Sequence, residues 1–158
     1  MSKNQKRAFP LFGLIVLVLV SNATYSQDIE KKAKEDGVQP PKPIQKLVEA
    51  FNLSDPEKMG SCVSDKCQVW YVGANGAVSL GSKTRKQLVE QMGQYFKNIK
   101  EPRSKISDVS VVGRFVTAKE SVSWQQKQKT MKQYSLVVFE LTESKNEIAR
   151  VWYYPAQK

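Results

Sequence analysis

Tyr134-Ser135-Leu136-Val137-Val138-Phe139-Glu140-Leu141 and, after a break at residues 142–146, Glu147-Ile148-Ala149-Arg150-Val151-Trp152-Tyr153-Tyr154 are two β-rich runs near the end of the 158-residue chain. Branched and aromatic side chains dominate both, and so short a connection suits a hairpin rather than a crossover. Upstream, Phe115–Trp124 and Ile106–Val112 have the same character, with breaks at Gly113-Arg114 and Gln125–Thr130. The spacing predicts an antiparallel meander of four strands: Ile106–Val112, Phe115–Trp124, Met131–Leu141 and Glu147–Tyr154.

Ahead of the meander the period changes. Ile44, Leu47, Val48 and Phe51 fall at i, i+3, i+4 and i+7, one face of a helix with Pro43 near its first turn. Ser54-Asp55-Pro56-Glu57 reads as a capping box opening a second, short helix with Met59, Cys62 and Val63 as its apolar positions. Cys67–Val72 and Ala77–Leu80 read as strands about the turn Gly73-Ala74-Asn75-Gly76. Ser82 or Thr84 can cap a third helix whose face is Leu88, Val89, Met92, Tyr95, Phe96 and Ile99, closed by Pro102. The expected fold class is α+β, in the order α-α-β-β-α-β-β-β-β.

Residues 1–42 belong to no such pattern. Lys3, Lys6 and Arg7 precede a 13-residue apolar run, Ala8–Val20, and small polar residues follow at Ser21–Ser26. This is the layout of a secretory signal peptide, and the run is shorter than the roughly 20 residues that span a bilayer. Export to a periplasmic or extracellular space is expected, with residues 1–26 removed (cleavage after Ser26 or, alternatively, Ala23) and no stable membrane insertion afterwards. Residues 27–42 form a charged arm ending in Pro40-Pro41-Lys42-Pro43, and the domain is expected over residues 43–158.

Composition excludes several chemistries. The chain has no His, so histidine bases and histidine metal ligands are absent, and its two Cys cannot complete a zinc site. No metal and no cofactor is expected. Loss of the signal lowers the formal charge from +10 to +7, spread over the surface with no purely basic five-residue window, so nucleic acid is not an expected partner. Cys62 and Cys67 can form a local disulfide in an exported protein, or remain two buried thiols.

Alternation along Phe115–Trp124 sets Val116, Ala118, Glu120, Val122 and Trp124 on one face. A carboxylate on an apolar face has to be paired, hydrogen-bonded or protonated. Three situations fit Glu120: an ion pair with Arg150, a wet position at a cavity mouth, or a ligand-binding or catalytic role.

The order of elements resembles the nuclear transport factor 2-like superfamily, and within it the SnoaL-like branch that includes ketosteroid isomerase and polyketide cyclases. The resemblance is carried by Asp65–Tyr71, by the Gly81–Phe96 helix after a hairpin, and by the two closing runs. It covers roughly Pro43–Pro155. It implies a curved antiparallel sheet wrapped on the long helix, a cone with a pocket for a small apolar ligand, and homodimers through the open sheet face. By that analogy Phe139 and Tyr153, with Val137 and Val151, face inward, as does Trp70 or its neighbour Tyr71; Glu120 and Trp124 join them as pocket candidates. The isomerase's aspartate base and protonated aspartate are matched here by Trp70-Tyr71 and Val137, and the Asp–Arg–Asp set of limonene epoxide hydrolases has no counterpart. Ligand binding without catalysis is therefore the expected function. The alternatives are an isomerase- or cyclase-like enzyme using Glu120 as acid/base, and an interaction module using the sheet face.

Overall fold

The structure is a computed structural model and describes residues 38–155. The signal-like segment and the arm as far as residue 37 lie outside the described residues. Among the described residues the elements are α1 (Lys42–Asn52), α2 (Pro56–Gly60), β1 (Val63–Val72), β2 (Val78–Ser82), α3 (Arg85–Asn98), β3 (Lys100–Val112), β4 (Phe115–Gln126), β5 (Lys129–Leu141) and β6 (Ile148–Pro155). The order is the expected one.

Local chemistry sets the boundaries. Pro56, with its fixed φ, opens α2, so the cap falls on Asp55, whose carboxylate accepts a 2.9 Å hydrogen bond from the Lys58 amide. Ser54, expected to take part in capping, instead sits at φ 54°, in the reversal between α1 and α2. Thr84 caps α3 by accepting from the Gln87 amide at 3.2 Å, and Gln87 Oε1 accepts from the Lys83 amide in return.

Pro102 does not close α3; it is buried inside β3, which starts six residues earlier than the sequence suggested. A proline is tolerated there because β3 pairs with β4 alone and is an edge strand. Register shifts flank Glu101 and Asp108, and both residues hold left-handed φ values, 50° and 54°. These are bulges, which bend the strand and increase its twist.

The strands form one sheet in the order β2-β1-β6-β5-β4-β3. The meander β3-β4-β5-β6 is antiparallel throughout, as is the β1-β2 hairpin. The exception to an all-antiparallel sheet is the seam where β1 lies parallel to β6. It exists because the first and last strands meet only after the whole meander has been laid down, so no hairpin dictates their relative direction. The core gathers Ile44 and Leu47 of α1, Val63, Cys67 and Val69 of β1, Val116 and Ala118 of β4, and Val137, Phe139 and Leu141 of β5. At Gly60 a Cβ would lie 2.7 Å from Val89 Cγ2, so glycine is what lets α2 approach α3.

Two arginine clusters tie the layers. Arg85, at the start of α3, donates to the Val63 carbonyl and pairs with Asp65 and Glu147. Glu140 on β5, only 3% exposed, is gripped from both sides, by Arg114 at 2.7 Å and Arg150 at 2.8 Å. That arrangement joins the β3–β4 turn, β5 and β6. Each oxygen of a desolvated carboxylate holds its own guanidinium, so loss of the charge leaves both arginines without an anion. Glu140→Gln should cost about 2 kcal/mol in urea unfolding; a cost below about 0.5 kcal/mol would reduce the cluster to an ordinary surface pairing.

Candidate functional site

The sheet curls over α1 and α3 and leaves a cavity of about 660 Å³ between them. The size suits a small organic ligand. Its floor is apolar: Leu47, Phe51 and Met59 from the first two helices, Leu88 and Met92 from α3, Phe139 and Val151 from the sheet. Because α3 covers a space rather than a packed layer, only Leu88 of its apolar stripe is fully buried, and Met92 and Tyr95 remain half-exposed on the cavity wall.

Glu120 stands in this wall with 9% of its surface exposed. Ser104 Oγ donates to its Oε1 at 2.6 Å. Arg150, the partner considered from sequence, is committed to Glu140 on the opposite face, since Arg150 and Glu140 are register partners while Glu120 lies opposite Ser135. Burial pushes the Glu120 carboxyl above its ordinary value, and the Ser104 hydrogen bond pulls it partly back.

Ser104 is itself held in place. Asn52, the last residue of α1, donates from Nδ2 to the Ser104 carbonyl at 3.0 Å and accepts from the Ser104 amide at its Oδ1. The side-chain amide thus replaces a neighbouring strand on the free edge of β3, and the serine hydroxyl is left aimed at Glu120.

Tyrosines complete the wall. Tyr71 on β1 and Tyr153 on β6 stack with ring centroids 5.6 Å apart, and Tyr95 faces them from α3. Burial is the first cause raising all three phenols above their usual range, most strongly Tyr153, and the Glu120 charge is the next. Gly81 makes room for this stack: a Cβ there would fall 2.5 Å from Tyr71 Cε2.

Of the residues proposed from sequence, Tyr71, Glu120, Trp124, Phe139 and Tyr153 line this one cavity. Trp70 does not. Its Cα pairs with Trp152 and Leu80 on the other face of the sheet, as alternation demands once Tyr71 points inward. Tyr134 on β5 also lies outside, exposed beneath Lys119 and Lys132.

Cys62 and Cys67 are free and buried, not bridged. β1 begins at Val63, so the chain from Cys62 to Cys67 runs extended at about 3.3 Å per residue, far beyond the roughly 7 Å that a disulfide tolerates between Cα atoms. Cys62 donates to the Lys58 carbonyl, and burial pushes the Cys67 thiol up to about 12.

Sequence reasoning missed Ser104 and Asn52. With the strand begun at Ile106, Ser104 had no face assigned; reading β3 back through Pro102 would have put Pro102, Ser104 and Ile106 on one side.

Chemically, the site offers one carboxyl that can hold or release a proton, three phenol groups and an apolar enclosure. Among the described residues no cluster of Cys, Asp and Glu could hold a metal ion, and no helix is long and apolar enough to cross a membrane.

No family model and no curated protein matches the chain. Solved structures match its fold. A hypothetical protein from Catenulispora acidiphila with a ketosteroid isomerase-like fold, in complex with trimethylamine, is 15% identical with a TM-score of 0.63, over 75% of this chain and 88% of its own. An LEH-like epoxide hydrolase from M. tuberculosis is 11% identical with a TM-score of 0.59, over 73% and 81%. A nuclear transport factor 2-like protein of unknown function from Exiguobacterium is 13% identical with a TM-score of 0.58, over 73% and 99%. The chain has the nuclear transport factor 2-like fold.

The raised Glu120 pKa fixes a sign. The folded state binds a proton more tightly than the unfolded chain, so stability is greatest below the ordinary value of 4.5 and declines as pH rises through the folded value. Glu120→Gln should therefore be more stable than the parent at pH 7 and lose that advantage below about pH 4. Parallel pH-dependent thermal melts of the two proteins would show no such divergence if Glu120 titrated normally.

Proposed function

We propose that this chain is an exported binding domain that encloses a small, largely apolar molecule in the cone between α1, α3 and the sheet. The observation that carries the reading is the cavity itself. It is continuous and apolar at its floor, and its wall carries one carboxyl that accepts from the Ser104 hydroxyl. Ligand sites have this composition, whereas a core that only stabilises the fold is packed without such a void. Among the described residues the site holds one carboxylate and no Lys, Arg, Cys or second acid, so turnover is not part of the proposal.

Such binding should appear as stabilisation. A neutral lipophile such as N-phenyl-1-naphthylamine at one hundred times its Kd should add about 2.7 kcal/mol to unfolding. Val122→Trp would fill the cavity from β4, and should weaken that ligand at least tenfold without loss of folding. An unchanged affinity in this variant would place the ligand elsewhere.

A second reading, compatible with the first, concerns the outer sheet face, where a homodimer is proposed. Trp70, Trp152 and Val138 follow one another across β1, β6 and β5, with Leu136, half-exposed at 50%, and Tyr154 beside them. A band of this kind is the usual mark of an interaction surface. Sedimentation should give a dimer that Leu136→Lys converts to monomer; a monomeric parent at high concentration refutes the homodimer.

A further inference from the structure

We infer that the ligand of this cavity carries a positively charged ammonium group on an apolar body, its head held between Glu120 and the aromatic rings of Tyr71, Tyr95, Tyr153 and Trp124. The inference rests on the binding reading above and narrows it to a chemical class.

The argument begins with charge. Among the described residues Glu120 is the one acidic residue in the cavity wall, and no Lys or Arg lines it. The nearby arginines are engaged elsewhere: Arg114 and Arg150 with Glu140, and Arg85 with Val63, Asp65 and Glu147. Lys119 and Lys132 stand over Tyr134 on the outer face. Among the described residues the carboxylate therefore has no counter-ion, and buried charges ordinarily have one. Ser104 occupies Oε1, and among the described residues Oε2 has no hydrogen-bond partner; Glu120 itself lines the cavity.

The second consideration is how the carboxyl is oriented. Asn52 fixes both backbone groups of Ser104, which leaves its hydroxyl donating to Glu120. A donated hydrogen bond favours the ionised carboxylate, the form that a cation recognises.

The third is the aromatic surround. Four aromatic side chains from β1, α3, β4 and β6 line the cavity that holds Glu120, two of them stacked on each other. Aromatic faces attract cations, more strongly when water is excluded, and a cage of them with one acid selects substituted ammonium over ammonium because the methyl groups also bury apolar surface. The floor of Leu47, Met59, Leu88 and Met92 receives the hydrocarbon body. A neutral lipophile would fill the floor and leave Oε2 without a partner.

The test uses 4-phenylbutyltrimethylammonium and its neutral tert-butyl isostere, which have one shape and differ in charge. Competition against the naphthylamine probe should show the cation binding roughly tenfold tighter or better. Glu120→Gln should abolish that preference and keep affinity for the neutral compound. Trp124→Leu, at the rim of the cage, should reduce the preference several-fold, and it keeps the test valid should the Glu120 variant not fold. Equal affinity for the two compounds, or a preference undiminished in both variants, overturns the inference and leaves the binding reading standing. Failure of both compounds to compete and of the naphthylamine to bind overturns inference and reading together.

Discussion

The side-chain amide of Asn52, hydrogen-bonded to both backbone groups of Ser104, is the contact on which the cone depends. A sheet of six strands has two edges, and without a barrel's closure something other than a strand must satisfy the outward amides and carbonyls. Here the end of the first helix does so at the edge strand. The same contact joins α1 to β3, is reinforced by Arg103 donating to the Asn52 carbonyl, and sets the direction of the Ser104 hydroxyl. The edge of the wall, its junction with α1 and the site's polarity thus share one residue pair that lies 52 positions apart in sequence.

Two buried carboxylates receive opposite treatment. Glu140 sits on the outer face with a guanidinium on each oxygen, and its role is to join strands. Glu120 sits on the inner face with one serine hydroxyl and, among the described residues, no cation. Both are glutamates within long strands, and local sequence does not separate them. The difference comes from register: β6 brings Arg150 opposite Glu140, while β5 brings Ser135 opposite Glu120. A cavity that retains an uncompensated acid gives up stability, a pattern common to functional sites.

Much of this was legible from residue order. The nine elements, their sequence and the inward face of β4 follow from the periods 3.6 and 2. Alternation along β4 puts Glu120 and Trp124 on one face, whereas Phe139, Tyr153 and one of Trp70 and Tyr71 were placed inward by the family resemblance; Tyr71, Glu120, Trp124, Phe139 and Tyr153 do line one cavity. What stayed hidden depended on long-range pairing. The parallel β1–β6 seam, the Arg150–Glu140 pair and the Asn52–Ser104 contact join segments whose separation carries no local signal. Pro102 misled for a physical reason: proline ordinarily stops a strand, and only an edge position with a bulge beside it admits one. Trp70 misled because two adjacent aromatics point to opposite faces, and nothing local says which is inside.

The bulges and the proline of β3 have a consequence beyond shape. An edge strand with free hydrogen-bonding groups invites a second chain to add to it, the first step of aggregation. Along β3, Pro102 has no amide to offer, Glu101 and Asp108 twist the edge away from a flat template, and Asn52 already occupies the Ser104 groups. The opposite edge, β2, is only five residues long. Devices that bend the wall around the cavity thus also make the domain a poor template for its own copies, a useful property for a protein that must fold and persist without joining its neighbours edge to edge.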